Sequence, residues 1–401
     1  MAKPQRRSVP GRVVTGTEPR QRRRAPTSNR PASRKPAPSP TDDIRARAQP
    51  EPDSAGQSER GWVVVETLTG TADQVTLFLN YDRPHAFSSL ARANLPSSVL
   101  ESLVKQSFES GKTYDKVVTR SNGRLFRLVA IPIHGPSGAI HAIAVWSASV
   151  LEPPPPIPVI GAVEWTPSGL LSTNPAGEYL LEPPFEVPGG RTIPELLSGF
   201  NRWDDRDDFL EMFNFRDTPA ERWSGRAAKV CEDDTLRQFH LAARTVGTGD
   251  ARVVRGVVCD VTSADPSHKA DMAVEMLRAM PIEHGHALAL VDLKSAFVHE
   301  WLTEDHSPLA GWRHHHPLYD TDGRDRVAIT CYELAAGLRE HATTDVRVRF
   351  NPGDEWTDIT GEWTRLPYSK RPQAMLDITP TSPNPPPPVP ECRYCYEITN
   401  T

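Results

Sequence analysis

The chain has 401 residues, which is enough for two or three domains of ordinary size. No stretch reaches 18 consecutive apolar residues, so the sequence predicts no membrane-spanning helix, and the five cysteines are too scattered for a disulfide framework. The net charge of −5 hides an uneven split, because residues 1–47 hold 13 Lys and Arg against 3 Asp and Glu. We therefore expect a cytoplasmic protein with a basic tail and an acidic body, and the body lacks the concentrated basic face that nucleic-acid binding needs.

Both ends of the chain are predicted to be tails. Residues 1–59 are rich in Pro, Ser and Arg and almost without large apolar side chains, so burial cannot offset the entropy of ordering them. Residues 381–401 contain four consecutive prolines, Pro385 to Pro388, and are predicted to be flexible. The structured body is expected over about residues 60–380.

The first domain is predicted over residues 60–150. Two apolar strands, 62–68 and 75–79, precede a helix that begins at Pro96-Ser97, has apolar residues at helical spacing and ends at Gly111. Three strands follow, 115–119, 125–133 and 139–146, and the turn Asn122-Gly123 is a strong hairpin signal. A linker with four prolines in a row occupies residues 151–160.

The same order of elements is predicted twice more. In a middle domain over residues 161–264, the strands are 162–165, 169–171, 225–230, 236–246 and 252–261, and the helix is 209–213. In a C-terminal domain over residues 265–380, the strands are 287–291, 296–301, 345–350, 356–366 and 373–379, and the helix is 327–338. Each unit predicts one antiparallel five-stranded sheet with helices on one face, an α+β fold repeated three times.

Local motifs resemble those of PAS domains. His316-Pro317, followed by Asp320 and Asp322, resembles the His-Pro-acid-acid segment before the long PAS helix, and Asp260-Val261-Thr262 and Asp377-Ile378-Thr379 are similar to the usual closing strand. Residues 61–165 resemble the N-terminal part of a family of actinobacterial, mycobacterial-type three-domain PAS/GAF-like signalling proteins. The resemblance covers roughly residues 61–380. It implies three consecutive PAS/GAF-like domains and a sensory role.

Four aromatic residues are the candidate ligand-binding residues of the third domain. A PAS-like fold would hold a ligand between sheet and helices, and the aromatic side chains on or near these elements are Tyr332, Phe350, Trp356 and Trp363. The alternative is that they are ordinary core aromatics, since such side chains dominate core burial.

No metal, haem or other cofactor is predicted. Seven of the thirteen histidines lie between His284 and His316, but the adjacent His314-His315-His316 cannot all face one centre. His299-Glu300 with His306 does not have the zinc-binding His-Glu-x-x-His spacing. Cys392 and Cys395 are spaced like half of a zinc knuckle without a second pair, so we interpret them as exposed thiols.

The sequence indicates a signalling protein that is not an enzyme. It has no Walker A loop, G-x-G-x-x-G, G-x-S-x-G or kinase signature. We expect the domains to bind a small ligand or a protein and to relay the signal by protein contact, as a homodimer. The amphipathic segment 268–280 either pairs with a second copy or packs on its own domain. The alternative function is a tether, in which the basic tail holds nucleic acid or an anionic membrane.

Overall fold

Three antiparallel sheets of six strands each form the body of the protein. The computed structural model describes residues 61–119, 123–181, 191–214, 218–231, 235–264, 285–303, 309, 315–350, 352–367 and 369–381. The predicted tails, 1–59 and 381–401, lie outside these residues except for residue 381. The predicted α+β class with three consecutive PAS-like units is confirmed. No helix within these ranges is long and apolar enough to cross a membrane.

The sheet of the first domain has the order β3-β2-β1-β6-β5-β4. Its strands are β1 Val63–Glu66, β2 Thr76–Asn80, β3 Arg83–Ser88, β4 Tyr114–Thr119, β5 Leu125–His134 and β6 Ile140–Ser149. Helix α1, Ser97–Ser110, buries Leu100, Leu103, Val104 and Ser107, one face at helical spacing, and ends at Gly111 with the left-handed φ of 65° that glycine tolerates. This helix covers one face of the sheet.

The second domain has the order β8-β7-β12-β11-β10-β9. Its strands are β7 Ile160–Trp165, β8 Leu171–Thr173, β9 Arg202–Trp203, β10 Arg222–Val230, β11 Leu236–Val246 and β12 Val253–Asp260. The helices are α2 Pro175–Leu181, α3 Ile193–Ser198 and α4 Arg206–Leu210, which continues as a 3₁₀ turn, Glu211–Phe213. The predicted helix 209–213 is therefore the end of α4 and that turn. Ile160, assigned to the linker from the sequence, begins β7.

The third domain repeats the second, with the order β14-β13-β18-β17-β16-β15. Its strands are β13 Ala287–Asp292, β14 Phe297–Trp301, β15 Leu318–Tyr319, β16 His341–Arg349, β17 Thr357–Leu366 and β18 Gln373–Pro380. Helix α5, Thr321–Ala335, begins six residues before the predicted start at Val327. The Asp320 carboxylate caps it by accepting from the Gly323 N–H at 2.8 Å, a polar start that precedes the apolar stripe.

The prediction of five strands per sheet missed one strand in each domain. In the first domain β3 extends the edge beyond β2, whereas β9 and β15 are two-residue strands beyond the opposite edge. None of the three has the apolar alternation of a half-buried strand; β3 reads Arg-Pro-His-Ala-Phe-Ser with no residue fully buried. Edge strands of this kind are formed by pairing with a neighbour that is already in place, so their own sequence carries little signal.

The first and second domains pack sheet against sheet. The face of the first sheet that α1 leaves open joins the β11–β12 face of the second in one apolar core, which includes Trp62, Phe78, Trp146, Val257 and Cys259. Fully burying a side chain of the size of Phe78 contributes about 1.5–3 kcal/mol. Large side chains from both domains are buried here, so the first domain is a fixed part of the body.

Buried polar contacts fix the register of these two sheets. Arg244 of β11 donates from Nη2 to Glu66 Oε1 at 2.8 Å, and Glu66 is only 1% exposed. His141 is fully buried, with Nε2 3.0 Å from Glu164 Oε1 and Nδ1 3.1 Å from the Gly256 carbonyl oxygen. Burial opposes the charge of Glu164, but hydrogen bonds from His141 and Ser137 lower its pKa overall.

Candidate ligand cleft between the second and third domains

The four aromatic candidates do not converge on one site. Trp363 is buried in the core of the third domain and Phe350 packs at the margin of that core. Trp356 is half-buried under the guanidinium groups of Arg347 and Arg349, 5.7 and 4.5 Å from its ring centroid. Tyr332 is 53% exposed on α5. Their role in ligand binding stays a prediction, and none of them lines the cleft described next.

A cleft of about 720 Å³ lies where the second domain meets the third. Its second-domain wall is the β7–β8 turn, the start of α3, the end of the α4 segment and the β11–β12 turn. Its third-domain wall is the start of β14, the segment before α5 and the first turns of α5. The apolar lining is Pro167, Pro194, Phe213, Ala296, Phe297, Val298, Pro317, Val327 and Ala328. Clefts of 300–1,000 Å³ with mostly apolar walls are the usual form of small-molecule sites.

Phe297 bridges the two walls of the cleft. It belongs to β14 of the third domain but packs against the core of the second, with its ring 5.8 Å from that of Phe213 and 5.9 Å from that of His316. The preceding Ala296 has a left-handed φ of 58°, a conformation that is costly for a residue with a Cβ atom. Strain of this kind is found at functional sites more often than elsewhere.

Arginine and histidine side chains are the strongest polar groups of the cleft. Arg252 donates from Nη1 to the Asn214 carbonyl oxygen at 3.0 Å, and Arg324 projects from the first turns of α5. Burial lowers the pKa of His316 to about 4, so its ring is neutral at pH 7. Its buried Nε2 has no hydrogen-bond partner among the described residues. The cleft therefore offers two cationic groups and one free neutral donor or acceptor.

A buried ion network beside the cleft holds the two domains together. Arg371 is 3% exposed and donates to both carboxylate oxygens of the fully buried Asp292, with Nη2 2.8 Å from Oδ2. The same Nη2 donates across the interface to the side chain of Asn214 and, at 3.2 Å, to the carbonyl oxygen of Leu210. One guanidinium thus joins the third domain to the α4 segment of the second.

Further polar pairs cross the same interface. Arg206 Nη1 donates to Glu300 Oε2 at 2.9 Å, where Glu300 is 2% exposed, and Gln373 donates to Asp207 at 2.8 Å. Burial raises the pKa of Asp207, although Arg371 opposes this. His299 is fully buried nearby. Burial, with Arg206 and Arg371, lowers its pKa to about 3.

No three His, Cys, Asp or Glu side chains converge as a metal site in the part of the chain that the structure describes. His284, His306 and His314, and the pair Cys392 and Cys395, lie outside it. That the protein holds no metal or haem stays a prediction.

Parts of each wall of the cleft could be predicted from the sequence, but not that the two walls lie next to each other. His316-Pro317 was recognised as a motif, and Phe297 and Val327 lie in predicted elements. Arg252, Phe213 and Thr192 lie 64, 103 and 124 residues before His316 in the chain, and no local pattern places them beside it. The positive φ of Ala296 has no sequence signature either.

Residues 61–156 match the model of the family described as Rv3651-like, N-terminal. The first domain is thus similar to the N-terminal domain of that family. A crystal structure of an uncharacterised protein from Mycobacterium tuberculosis aligns with a TM-score of 0.62 and 17% identity, covering 82% of this chain and 98% of that one. The resemblance to the three-domain PAS/GAF-like family is thereby confirmed, and the likeness outside the first domain is one of fold. No curated protein matches.

Two sensor structures align with about half of the chain at low TM-scores. An RNA-binding light-oxygen-voltage receptor gives a TM-score of 0.20 at 11% identity, over 55% of this chain and 95% of that one. The periplasmic sensory domain of the Campylobacter jejuni chemoreceptor Tlp1 gives 0.17 at 12%, over 53% and 77%. Neither likeness extends to a role, a ligand or a partner.

Proposed function

We propose that this protein is a non-enzymatic sensor whose ligand binds in the cleft between the second and third domains. The observation that carries the proposal is that both domains supply the lining, with Phe213 and Arg252 from one and Phe297, His316 and Arg324 from the other. A ligand in contact with both walls changes the free energy of their association, which is the differential interaction that a signal requires.

The groups in the cleft favour binding over catalysis. A nucleophilic mechanism needs a hydroxyl or thiol hydrogen-bonded to a base. Here the Ser295 hydroxyl donates to Asp292, a carboxylate that already pairs with Arg371. No described hydroxyl bonds to His316 Nε2. The sequence also lacks the phosphate-binding loops of nucleotide-using enzymes.

We place the output in the segment that connects the two walls. Residues 265–284, which lie outside the described residues, connect the second domain to β13 of the third, and 268–280 is the apolar, methionine-containing stretch expected either to pair with a second copy or to pack on its own domain. Methionine-rich surfaces adapt to different partners. Because this connector joins the two domains that line the cleft, the proposed relay is contact with a protein partner by a cytoplasmic homodimer.

Native mass spectrometry of the full-length protein purified from its own cells tests the proposal. Wild type is expected to carry a small molecule, and Ala328→Trp, which fills the cleft, is expected to lose it. Ile329→Trp is the matched control, because Ile329 is the next residue of α5 and is 53% exposed outside the cleft. Equal retention by both variants would contradict the site, and conversion of the molecule during incubation would contradict a non-enzymatic role.

The tether remains the alternative function. It depends on the basic residues of 1–47, which lie outside the described residues. Binding through that tail would fall steeply with salt concentration, whereas recognition in the cleft would change little.

A further inference from the structure

We infer that the cleft between the second and third domains takes a small organic anion with a flat apolar body. The inference rests on the proposed function and adds the chemical class of the ligand. Three features of the cleft support it: its cationic side chains, the aromatic surface beside them, and its volume.

The charged side chains that line the cleft, among the residues that the structure describes, are cationic. Among the described residues that line it, two are Arg and none is Asp or Glu. Three other buried or interfacial arginines have carboxylate partners: Arg371 has Asp292, Arg206 has Glu300 and Arg244 has Glu66. Neither Arg252 nor Arg324 has an ion pair within the described residues. An anionic group on the ligand would pair with these two arginines through charge-assisted hydrogen bonds.

The aromatic surface lies next to these cations. The rings of Phe213, Phe297 and His316 form a chain with centroid separations of 5.8 and 5.9 Å, which is the spacing at which aromatic rings interact. The neutral His316 ring can also hydrogen-bond through its unpartnered Nε2. A flat apolar body would lie along this wall with its charged group directed to the arginines.

The volume sets the size of the ligand. About 720 Å³ is within the range that holds drug-sized molecules, and too large for an inorganic ion alone to fill. An ion without an apolar body would leave the aromatic wall exposed to water and would gain nothing from it.

Fluorescence titration of the full-length protein with two dyes tests the inference. Anilinonaphthalene sulfonate is anionic, and N-phenylnaphthylamine has nearly the same aromatic body without charge. We expect Arg324→Gln to weaken sulfonate binding about tenfold, the effect of one charge-assisted hydrogen bond, and to leave the neutral dye unchanged. Arg326→Gln is the matched control, because Arg326 lies on the same helix, 47% exposed and 3.9 Å from Asp320.

The outcomes separate the inference from the function on which it rests. Equal loss in Arg324→Gln and Arg326→Gln would mean diffuse surface charge and would overturn the inference. If the neutral dye binds as tightly as the sulfonate and Arg324→Gln affects neither, while Ala328→Trp removes both, the preference for an anion is wrong and the cleft remains a ligand site. If Ala328→Trp removes neither dye, both proposals fail.

Discussion

Trp363 shows how a single side chain supports the third domain. It lies in β17, is 5% exposed and belongs to the core between the sheet and α5. Its indole N–H has no hydrogen-bond partner among the described residues. The side chain therefore contributes by burial of its ring and gains nothing from its polar atom.

Two substitutions separate these contributions. Trp363→Ala is expected to lower the free energy of unfolding by about 3–5 kcal/mol, through lost burial and a residual cavity. Trp363→Phe keeps most of the ring and removes the unpaired N–H, so we expect a loss of about 1 kcal/mol or less. Urea denaturation measures both. An intact melting temperature in Trp363→Ala, with ligand binding lost, would instead make Trp363 a site residue.

The buried histidines predict a pH dependence of stability. The folded-state pKa of His299 is about 3 and that of His240 about 4, below the ordinary 6.5, with burial the main cause in both. At pH values between the folded-state pKa of each histidine and 6.5, the unfolded chain binds protons that the folded chain does not. The free energy of unfolding should therefore fall as the pH drops below about 6.5, by up to ~1.4 kcal/mol per pH unit for each histidine.

His299→Leu tests the assignment. Both ring nitrogens of His299 lack partners among the described residues, so an apolar side chain replaces it at little cost at pH 7. Urea denaturation between pH 7 and pH 5 should show a shallower fall for the variant than for wild type. A variant with the wild-type slope would show that His299 is not the titrating group.

At the residue scale, the sequence did not always show whether a side chain points into the core or into solvent. Tyr332 was a candidate ligand-binding residue, with core packing as the alternative, because it lies in a predicted helix. However, α5 buries Val327, Thr330, Cys331 and Leu334, and position 332 falls outside that stripe. Trp363 fell on the buried face of a strand whose alternation was visible. The helix was predicted to begin at Val327, whereas it begins at Thr321. The prediction therefore did not include the helical face that Arg324 shares with Ala328.

At the scale of elements, the packing of the first two sheets depends on a buried ion pair. Arg244 bonds Glu66 through two nitrogens, and the side chains are 14% and 1% exposed. Arg127 and Asp115, paired across β4 and β5 with Nε–Oδ1 2.9 Å, form a similar two-nitrogen pair at 36% and 43% exposure. The two pairs differ mainly in burial.

The difference in burial predicts a difference in stability. Arg244→Met leaves the Glu66 carboxylate buried without its cation, which should cost about 3–5 kcal/mol. Arg127→Met leaves Asp115 in water and should cost much less than Arg244→Met, because solvent screens an exposed pair. Thermal and urea denaturation of the two variants measures this. Equal losses would mean that the sheet-to-sheet contact does not depend on the buried pair.

The elements themselves were largely predictable. In each domain the meander and the strand pair before it carry apolar alternation and turn residues, and β11 was predicted with its observed bounds, Leu236–Val246. The extra strands β3, β9 and β15, and the short helices α2 and α3, were not predicted. They are short and only partly apolar, so packing against a formed sheet stabilises them more than their own sequence does.

At the scale of the whole molecule, the second domain is the centre. Its sheet face packs on the first domain, and its helices α3 and α4 contact β14 and the start of β18 in the third. These contacts join residues as far apart as Glu66 and Arg244, a separation of 178 in sequence. Periodicity and turn signals are local, so the sequence predicted three domains and could not predict how they associate.

This arrangement explains why the candidate site is shared. A cleft inside one domain would respond through that domain alone, whereas the cleft described here has one wall from each of two domains that are fixed by Arg371. Binding there is therefore expected to affect both sides of the interface.

Hydrogen–deuterium exchange of the full-length protein, with and without anilinonaphthalene sulfonate, tests this most directly. The account predicts slower exchange in both walls, at Ile193–Ser198 of the second domain and at Phe297–Trp301 and Thr321–Ala335 of the third. Ala328→Trp should remove the effect in both. Protection confined to one domain, or protection that persists unchanged in Ala328→Trp, would contradict a shared ligand cleft.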